Sequence, residues 1–314
     1  MKPAVLVTRR LPSAVIARLE ESCKLDVHRA EASLAHDDLC ARVSGKEAMI
    51  CLLTDTVDRT VIDAGSRLRV IANVAVGVNN IDMVYARAKG LTVTNTPDVL
   101  TEAVADFAWA LILAITRRLG EGERLVRRAE WKGWALDFML GTELRGKTLG
   151  VVGSGRIGRA VAARAAVFGM NVVFAARSAT EPAGAGRLAL DHLLAVADVV
   201  SLHVPLTPET RHLLDQRAFL RMKRSAYLVN TSRGPVVDES ALVWALSERL
   251  LAGAALDVYE NEPAVHPDLL TLENVVLAPH LGSATTETRT SMADLAASNV
   301  LAVLSGGAPL TPVS

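Results

Sequence analysis

The sequence predicts an α/β protein of two doubly wound parallel-sheet domains, and three observations predict it. Short apolar runs alternate with helical patterns over the first hundred residues; a strand, glycine-rich turn, helix and second strand follow at 147–178; and further apolar runs recur beyond them. Strands that alternate with helices imply a parallel sheet covered by helices. A length of 314 residues accommodates two domains that each bury a core.

The composition narrows the function classes. Half of the residues are hydrophobic, and 34 Lys and Arg balance 34 Asp and Glu. Disorder needs low hydrophobicity with high net charge, and a nucleic-acid or anionic-membrane footprint needs a basic excess, so none of these is indicated. The N-terminus enters a strand-like AVLVT directly, without a signal-peptide core, and the apolar segment 104–115 is too short to span a bilayer. The expectation is a soluble cytoplasmic protein with no nucleic-acid and no membrane partner. Cys23, Cys40 and Cys51 are odd in number and show neither CxxC nor Cys/His metal spacing, which predicts reduced thiols and no metal site.

In chain order, strands are predicted at 4–7, 25–28, 49–53, 70–74 and 91–94, with helical patterns such as 14–19 and 58–64 between them. The loop 75–80 follows the fourth strand, and its Gly77 with flanking amides permits close approach of an anion, although an ordinary strand-to-helix turn reads equally from the same residues. The stretch 98–130 is the longest helical pattern, so apolar over 104–115 that it must be buried. Trp131-Lys132-Gly133-Trp134 breaks that pattern and opens a surface or subunit-contact link, where the tryptophans either pack locally or reach a neighbouring subunit's site. Six more strands are predicted at 148–152, 172–175, 198–203, 226–230, 254–258 and 275–278, the number in a full dinucleotide fold. The helix 285–304 returns to the first domain, and the tail 306–314 is expected to be loose.

The segment 147–178 carries the most specific signal. Gly153, Gly155 and Gly158 stand at GxGxxG spacing between an apolar run and a helical pattern. In a dinucleotide-binding βαβ unit the first glycine allows the tight turn, the second lets the backbone approach a pyrophosphate, and the third allows close helix–strand packing. The pyrophosphate then sits on the N–H groups of Arg156 and Ile157 at the helix N-terminus. An acid about 20 residues on would bind the ribose of NAD, but here Phe174, Ala175 and Ala176 lead to Arg177 and Ser178. A 2′-phosphate would meet a guanidinium and a hydroxyl, so NADPH is the preferred cofactor with NADH also admitted; a solvated strand-end arginine is the alternative reading of Arg177. One charge-assisted hydrogen bond, roughly 1.5–3 kcal/mol, gives about tenfold to a hundredfold preference.

Three polar residues stand just past strands of this domain: Arg233 in VNTSRG, Glu262 in DVYENEP and His280 in APHLGS. Ligands of open parallel sheets bind outside the carboxyl ends of the strands. Arg233 offers a planar fork to a carboxylate, His280 exchanges a proton near neutral pH, and Glu262 is suited to orient it and favour its imidazolium.

Taken together, NVAVGVNNID, TEAVADFAWAL, GVVGSGRIG, HVPLTPET, VNTSRGPVVDE, ALDVYENEP and APHLGSAT resemble the D-2-hydroxyacid dehydrogenases, most closely the glyoxylate/hydroxypyruvate reductase branch, over nearly the whole chain. The resemblance implies a flavodoxin-like substrate domain of residues 1–98 plus 286–314 and a Rossmann dinucleotide-binding domain of 99–285. It implies Arg233 as substrate binder, His280 as proton donor and acceptor with Glu262 as its partner, and amides at Val76 and Gly77 on the substrate carboxylate. Cofactor contacts carry over to Thr101, Arg156, Ile157, Pro205, Thr231, Asp257 and Gly282, with Asp257 near the nicotinamide carboxamide. Trp134 resembles the tryptophan that crosses to the partner subunit of a homodimer. Ser154 replaces a bulkier apolar residue within the glycine motif, Glu262 argues against the formate dehydrogenases, and with the chain read to Ser314 no regulatory extension is expected. The implied activity is NADPH-dependent reduction of a small 2-oxo acid, glyoxylate or hydroxypyruvate, to the D-2-hydroxy acid. The alternatives are a reductase of a bulkier 2-keto acid such as a keto-sugar acid, and a non-catalytic NAD(P)H-sensing protein.

Overall fold

Every apolar run read as a strand becomes a parallel strand in the computed structural model, which describes residues 2–176 and 186–313. The chain divides into two units, Met1–Leu100 with Thr285–Ser314, and Thr101–Ala284.

The first unit holds β1 (Ala4–Val7), β2 (Lys24–Val27), β3 (Ala48–Cys51), β4 (Val70–Asn73) and β5 (Thr92–Thr94), all parallel in the order β2-β1-β3-β4-β5. This is the flavodoxin-like order. Its central strands are unbroken apolar runs because both faces are covered. Val5, Val7, Ile50, Val70 and Ala72 pack with Val15 and Leu19 of helix Ser13–Ser22 and with Ala293, Ala297 and Val300 of helix Thr286–Leu304. Leu6, Met49 and Ile71 alternate to the other face, with Leu39, Val61 and Ile62. The helices start where their caps dictate: Asp58 accepts the Val61 N–H at 3.1 Å, and Thr285 accepts that of Thr288 at 3.1 Å.

The tail is not loose, contrary to the sequence expectation. Buried Asn299 accepts the N–H groups of Leu310 and Thr311 at 2.9 and 3.0 Å, and Val313 N–H donates to the Val93 carbonyl at 2.8 Å. The tail therefore pairs with the β5 edge, antiparallel at Thr94 and Pro312. Its composition hid this because the anchoring side chain lies in the preceding helix.

The second unit holds β6 (Thr148–Val152), β7 (Asn171–Ala175), β8 (Gly186–Arg187), β9 (Val199–Leu202), β10 (Tyr227–Asn230), β11 (Gly253–Leu256) and β12 (Val275–Leu277) in the order β12-β11-β10-β9-β6-β7-β8. Counted from β6 this is the dinucleotide-binding order 3-2-1-4-5-6 with a seventh strand, and the direction of winding reverses between β6 and β9. Six strands were expected; the extra one, β8, is only the pair Gly186-Arg187, which carries no apolar signal. One face of the sheet buries Ala105, Ala108, Ile112, Val161 and Ala165, and the other Leu193, Leu194, Phe219 and Leu242. On the first face Trp109 stacks on Phe168 at 4.3 Å and donates its indole N–H to the Val161 carbonyl at 2.9 Å.

The stretch 98–130, expected as one helix, is two: Thr101–Thr116 and Leu119–Arg127, parted at Arg118 with φ 51°. The apolar pattern ends at Thr116. A turn there swings the charged second half off the core, and none of its residues is buried.

Candidate active site

The turn after β6 has the geometry that its glycines require. Gly153 sits at φ +104°, and a Cβ there would lie 2.4 Å from the His203 carbonyl oxygen. A Cβ on Gly158 would lie 2.1 Å from the Gly153 carbonyl oxygen, so the third glycine lets helix Arg156–Ala165 start against the turn itself. A Cβ on Gly155 would meet nothing within 4 Å. Open space over a glycine at a helix N-terminus is a cradle for a phosphate group. Thr231, just past β10, adds a buried hydroxyl without a hydrogen-bond partner among the described residues. A dinucleotide fits this set: the glycine turn and the Arg156–Ile157 end of the helix would hold its pyrophosphate.

Past β10, β11 and β12 the chain brings the predicted trio together in part. His280 Nδ1 lies 2.8 Å from Glu262 Oε2, while Glu262 Oε1 accepts the Tyr259 N–H at 3.0 Å. Nδ1–H thus faces the carboxylate and leaves Nε2 to hold a transferable proton. Burial raises the Glu262 carboxyl, but the hydrogen bond and charge of His280, the Tyr259 amide and Arg233 outweigh it and hold it below its ordinary value. Arg233 is desolvated, which lowers its guanidinium, with Glu262 opposing that effect. Its Nη1 donates to the Ser232 carbonyl at 2.7 Å. Another histidine of this unit is unsuited to donate a proton: desolvation pulls His203 down to about 3, and Nε2 of its neutral ring contacts Ser201 Oγ at 2.8 Å.

Backbone constraints fix this geometry. His280 is held at φ 56°, left-handed for a residue with a Cβ, while its N–H donates to the Asp257 carbonyl at 2.9 Å. Asp257, 1% exposed, accepts the N–H groups of Leu281 and Gly282 at 2.6 and 2.8 Å. Burial raises its carboxyl despite those two amides. The resemblance pointed Asp257 at a cofactor; the structure gives the same carboxylate a second task, holding the turn that presents His280. Gly234 is required for close approach, since a Cβ there would fall 1.8 Å from the Tyr259 carbonyl oxygen. Arg233 and Glu262 are therefore carried on loops in backbone contact. His212 ties the same loops, its N–H on the Pro235 carbonyl at 2.8 Å and its Nε2 2.6 Å from Glu260. Sequence reasoning passed over Gly234, Glu260 and His212, although Gly234 inside SRGP was the one detectable signal.

The remaining predicted residues are spread over both units. Thr101 opens helix Thr101–Thr116, Pro205 lies in the loop after β9 and is exposed, and Trp134 is 80% exposed. Val76 and Gly77 lie in the loop after β4, where Gly77 O accepts from Asn73 and Val76 O from Asn95. Arg177 and Ser178 lie outside the described residues. No acid stands at the described end of β7, and Arg187 of β8 donates to the Ala176 carbonyl at 2.7 Å. Among the described residues no cluster of metal-ligating side chains occurs, and no helix is long and apolar enough to cross a membrane.

Comparison with known proteins gives a consistent result. Residues 109–282 match the model of the D-isomer specific 2-hydroxyacid dehydrogenase NAD binding domain. A glyoxylate reductase of Korarchaeum cryptofilum is 48% identical over 98% of this chain and 95% of its own, and one of Thermococcus kodakarensis 45% identical over 100% and 97%. Among solved structures, the TT0316 protein of Thermus thermophilus superposes with a TM-score of 0.94 at 48% identity, covering 99% of this chain and 100% of that one. The NADPH-dependent glyoxylate/hydroxypyruvate reductase of Sinorhizobium meliloti, in complex with NADP and malonate, gives 0.89 at 36% identity over 100% and 97%. With the glycine turn, the His280–Glu262 pair and this match over its full length, the chain belongs to the D-isomer-specific 2-hydroxyacid dehydrogenase family.

Proposed function

We propose that this protein reduces a small 2-oxo acid, glyoxylate or hydroxypyruvate, to the D-2-hydroxy acid with NADPH as preferred cofactor. The observation that carries the reading is the His280–Glu262 pair at 2.8 Å beside a desolvated Arg233, in the unit that holds the glycine turn. When bound, the reduced nicotinamide supplies the hydride that adds to C2. His280 gives the Nε2 proton to the oxygen that becomes the hydroxyl, with Glu262 orienting the ring through Nδ1. Arg233 and the Val76 and Gly77 amides hold the carboxylate, and Arg233 stabilises charge on the reacting oxygen. Thr101, Pro205, Thr231, Asp257 and Gly282 complete the cofactor contacts, and Arg177 with Ser178 meets the 2′-phosphate.

A homodimer belongs to the same reading. Trp131, Trp134, Leu136, Phe138 and Leu140 are 56, 80, 82, 41 and 67% exposed within a few residues of one another in the chain, which supports burial by a second copy, with Trp134 as the crossing residue. The place of action belonging to this reading is the cytoplasm.

Initial rates of absorbance loss at the nicotinamide band, with NADPH and NADH against glyoxylate and hydroxypyruvate, test the assignment. Fast NADPH oxidation with slow NADH oxidation is expected. Equal rates with both cofactors would remove the preference, and no turnover in protein that binds NADPH would redirect the search to a bulkier 2-keto acid or to a sensing role.

A further inference from the structure

Three consecutive peptide groups after β4 are fixed by their carbonyl ends. Ala75 O accepts the Thr96 N–H at 2.9 Å, Val76 O accepts from Asn95 Nδ2 at 2.8 Å, and Gly77 O accepts from Asn73 Nδ2 at 2.9 Å. In a planar trans peptide the N–H lies opposite the C=O. The N–H groups of Val76, Gly77 and Val78 therefore each point opposite an anchored carbonyl, and none of them has an acceptor among the described residues. Unpaired N–H groups of this kind are open to an acceptor such as a carboxylate.

The asparagines that aim them are themselves held. Asn73 is fully buried, its Nδ2 also reaches Asn80 Oδ1 at 3.0 Å, and its Oδ1 lies 3.5 Å from Cys51 Sγ. Asn80 Nδ2 in turn donates to the Leu52 and Asp55 carbonyls at 3.0 and 3.1 Å. Asn95 follows β5 and its backbone is paired with Thr311 of the tail, whose Oγ1 donates to the Asn95 carbonyl at 2.6 Å. The loop is thus stapled by two side-chain amides that donate to its carbonyls. Replacing either by a carboxylate would remove the donor and set a negative charge against the carbonyl.

We propose that Asn73 and Asn95 are positioning residues for the substrate carboxylate: Asn95 aims the Gly77 N–H and Asn73 that of Val78, beside the Val76 N–H that Thr96 fixes through the Ala75 carbonyl. The assignment rests on the reading above of a 2-oxo acid substrate. Its test compares glyoxylate with its methyl ester, which keeps the reacting carbonyl and lacks the charge. For Asn95→Ala the acid-to-ester ratio of kcat/KM falls about tenfold, as expected for one misdirected amide contact. The fall comes through KM for the acid, with kcat and the Kd for NADPH near parental values, and Asn95→Asp lowers the ratio further. A purely structural role would lower both substrates together and leave the ratio unchanged. Asn95 is the primary site because Asn73 lies in the core; Asn73→Ser, which keeps a donor, is expected to lower the ratio less than Asn73→Ala. A parent protein that reduces neither compound removes the underlying reading and this assignment with it. An active parent whose two Asn95 variants keep the parental ratio removes the assignment alone.

Discussion

The two units use the same architecture to present different kinds of functional group. In the Thr101–Ala284 unit, Arg233, Glu262 and His280 follow three successive strands, and their ionisable side chains are the proposed reagents. In the other unit, the proposed contribution is the backbone N–H groups of the loop after β4, and Asn73 and Asn95 bond the carbonyls of that loop. Parallel sheets explain the shared location, since loops at the carboxyl ends of strands are where ligand groups converge. The division of labour explains the difference. A proton has to be carried by a titratable side chain, whereas a carboxylate is bound well by fixed dipoles that need not move or titrate.

The sharpest way to break this comparison is to remove the proton carrier. His280→Ala is expected to lower kcat by about 10²–10⁴ while the Kd for NADPH stays near parental, because general acid catalysis supplies that range. Rapid-mixing measurement of a single turnover separates this from a change in product release. Near-parental turnover would move proton transfer away from the His280–Glu262 pair and leave the side-chain unit without its distinguishing task. His203 would not replace it, since its ring is neutral down to about 3.

The same contrast governs what could be read from the residues. The sheets were legible because buried parallel strands are continuous apolar runs, as in Ala48–Cys51 and Tyr227–Asn230. Arg233, Glu262 and His280 were legible because each is an ionisable residue placed just past such a run. The asparagine staples were not: a side-chain amide bonded to a carbonyl has no spacing rule, and Asn73 joins Gly77 only through a turn whose shape the composition does not specify. Asp257 was named for a cofactor role, yet its hold on the Leu281 and Gly282 amides spans 24 and 25 residues and becomes visible only in three dimensions. β8 escaped for the opposite reason, being a strand by pairing with Val173 and Phe174 and not by composition.

A smaller effect sharpens the cofactor side of the comparison. Arg177→Ala is expected to raise KM for NADPH by about tenfold to a hundredfold and to leave KM for NADH nearly unchanged, as the loss of one charge-assisted contact predicts. Steady-state titration of each cofactor at saturating glyoxylate reads it. Equal changes for both cofactors would mean that Arg177 serves the fold of the β7 end and not the 2′-phosphate, and selectivity would then have to come from elsewhere, with Arg187 on the Ala176 carbonyl as the next residue to vary.

The subtlest expected change concerns charge and not contact. Glu262→Gln keeps a side chain able to meet His280 but removes the carboxylate that lies 2.8 Å from Nδ1. The variant is expected to lower kcat by about tenfold, as for the loss of one charge-assisted hydrogen bond, read in a single turnover. The stability side depends on pH. The Glu262 carboxyl lies below its ordinary value of 4.5, so its contribution is complete above that value and disappears as pH falls through the lowered one. The Tm difference between parent and variant should therefore be level near neutral pH and close on acidification below 4.5. If kcat stays parental while the Tm difference closes as described, the carboxylate braces the loop without serving the acid; if kcat falls and the Tm difference is absent at every pH, the pair acts on the chemistry and adds nothing to the fold.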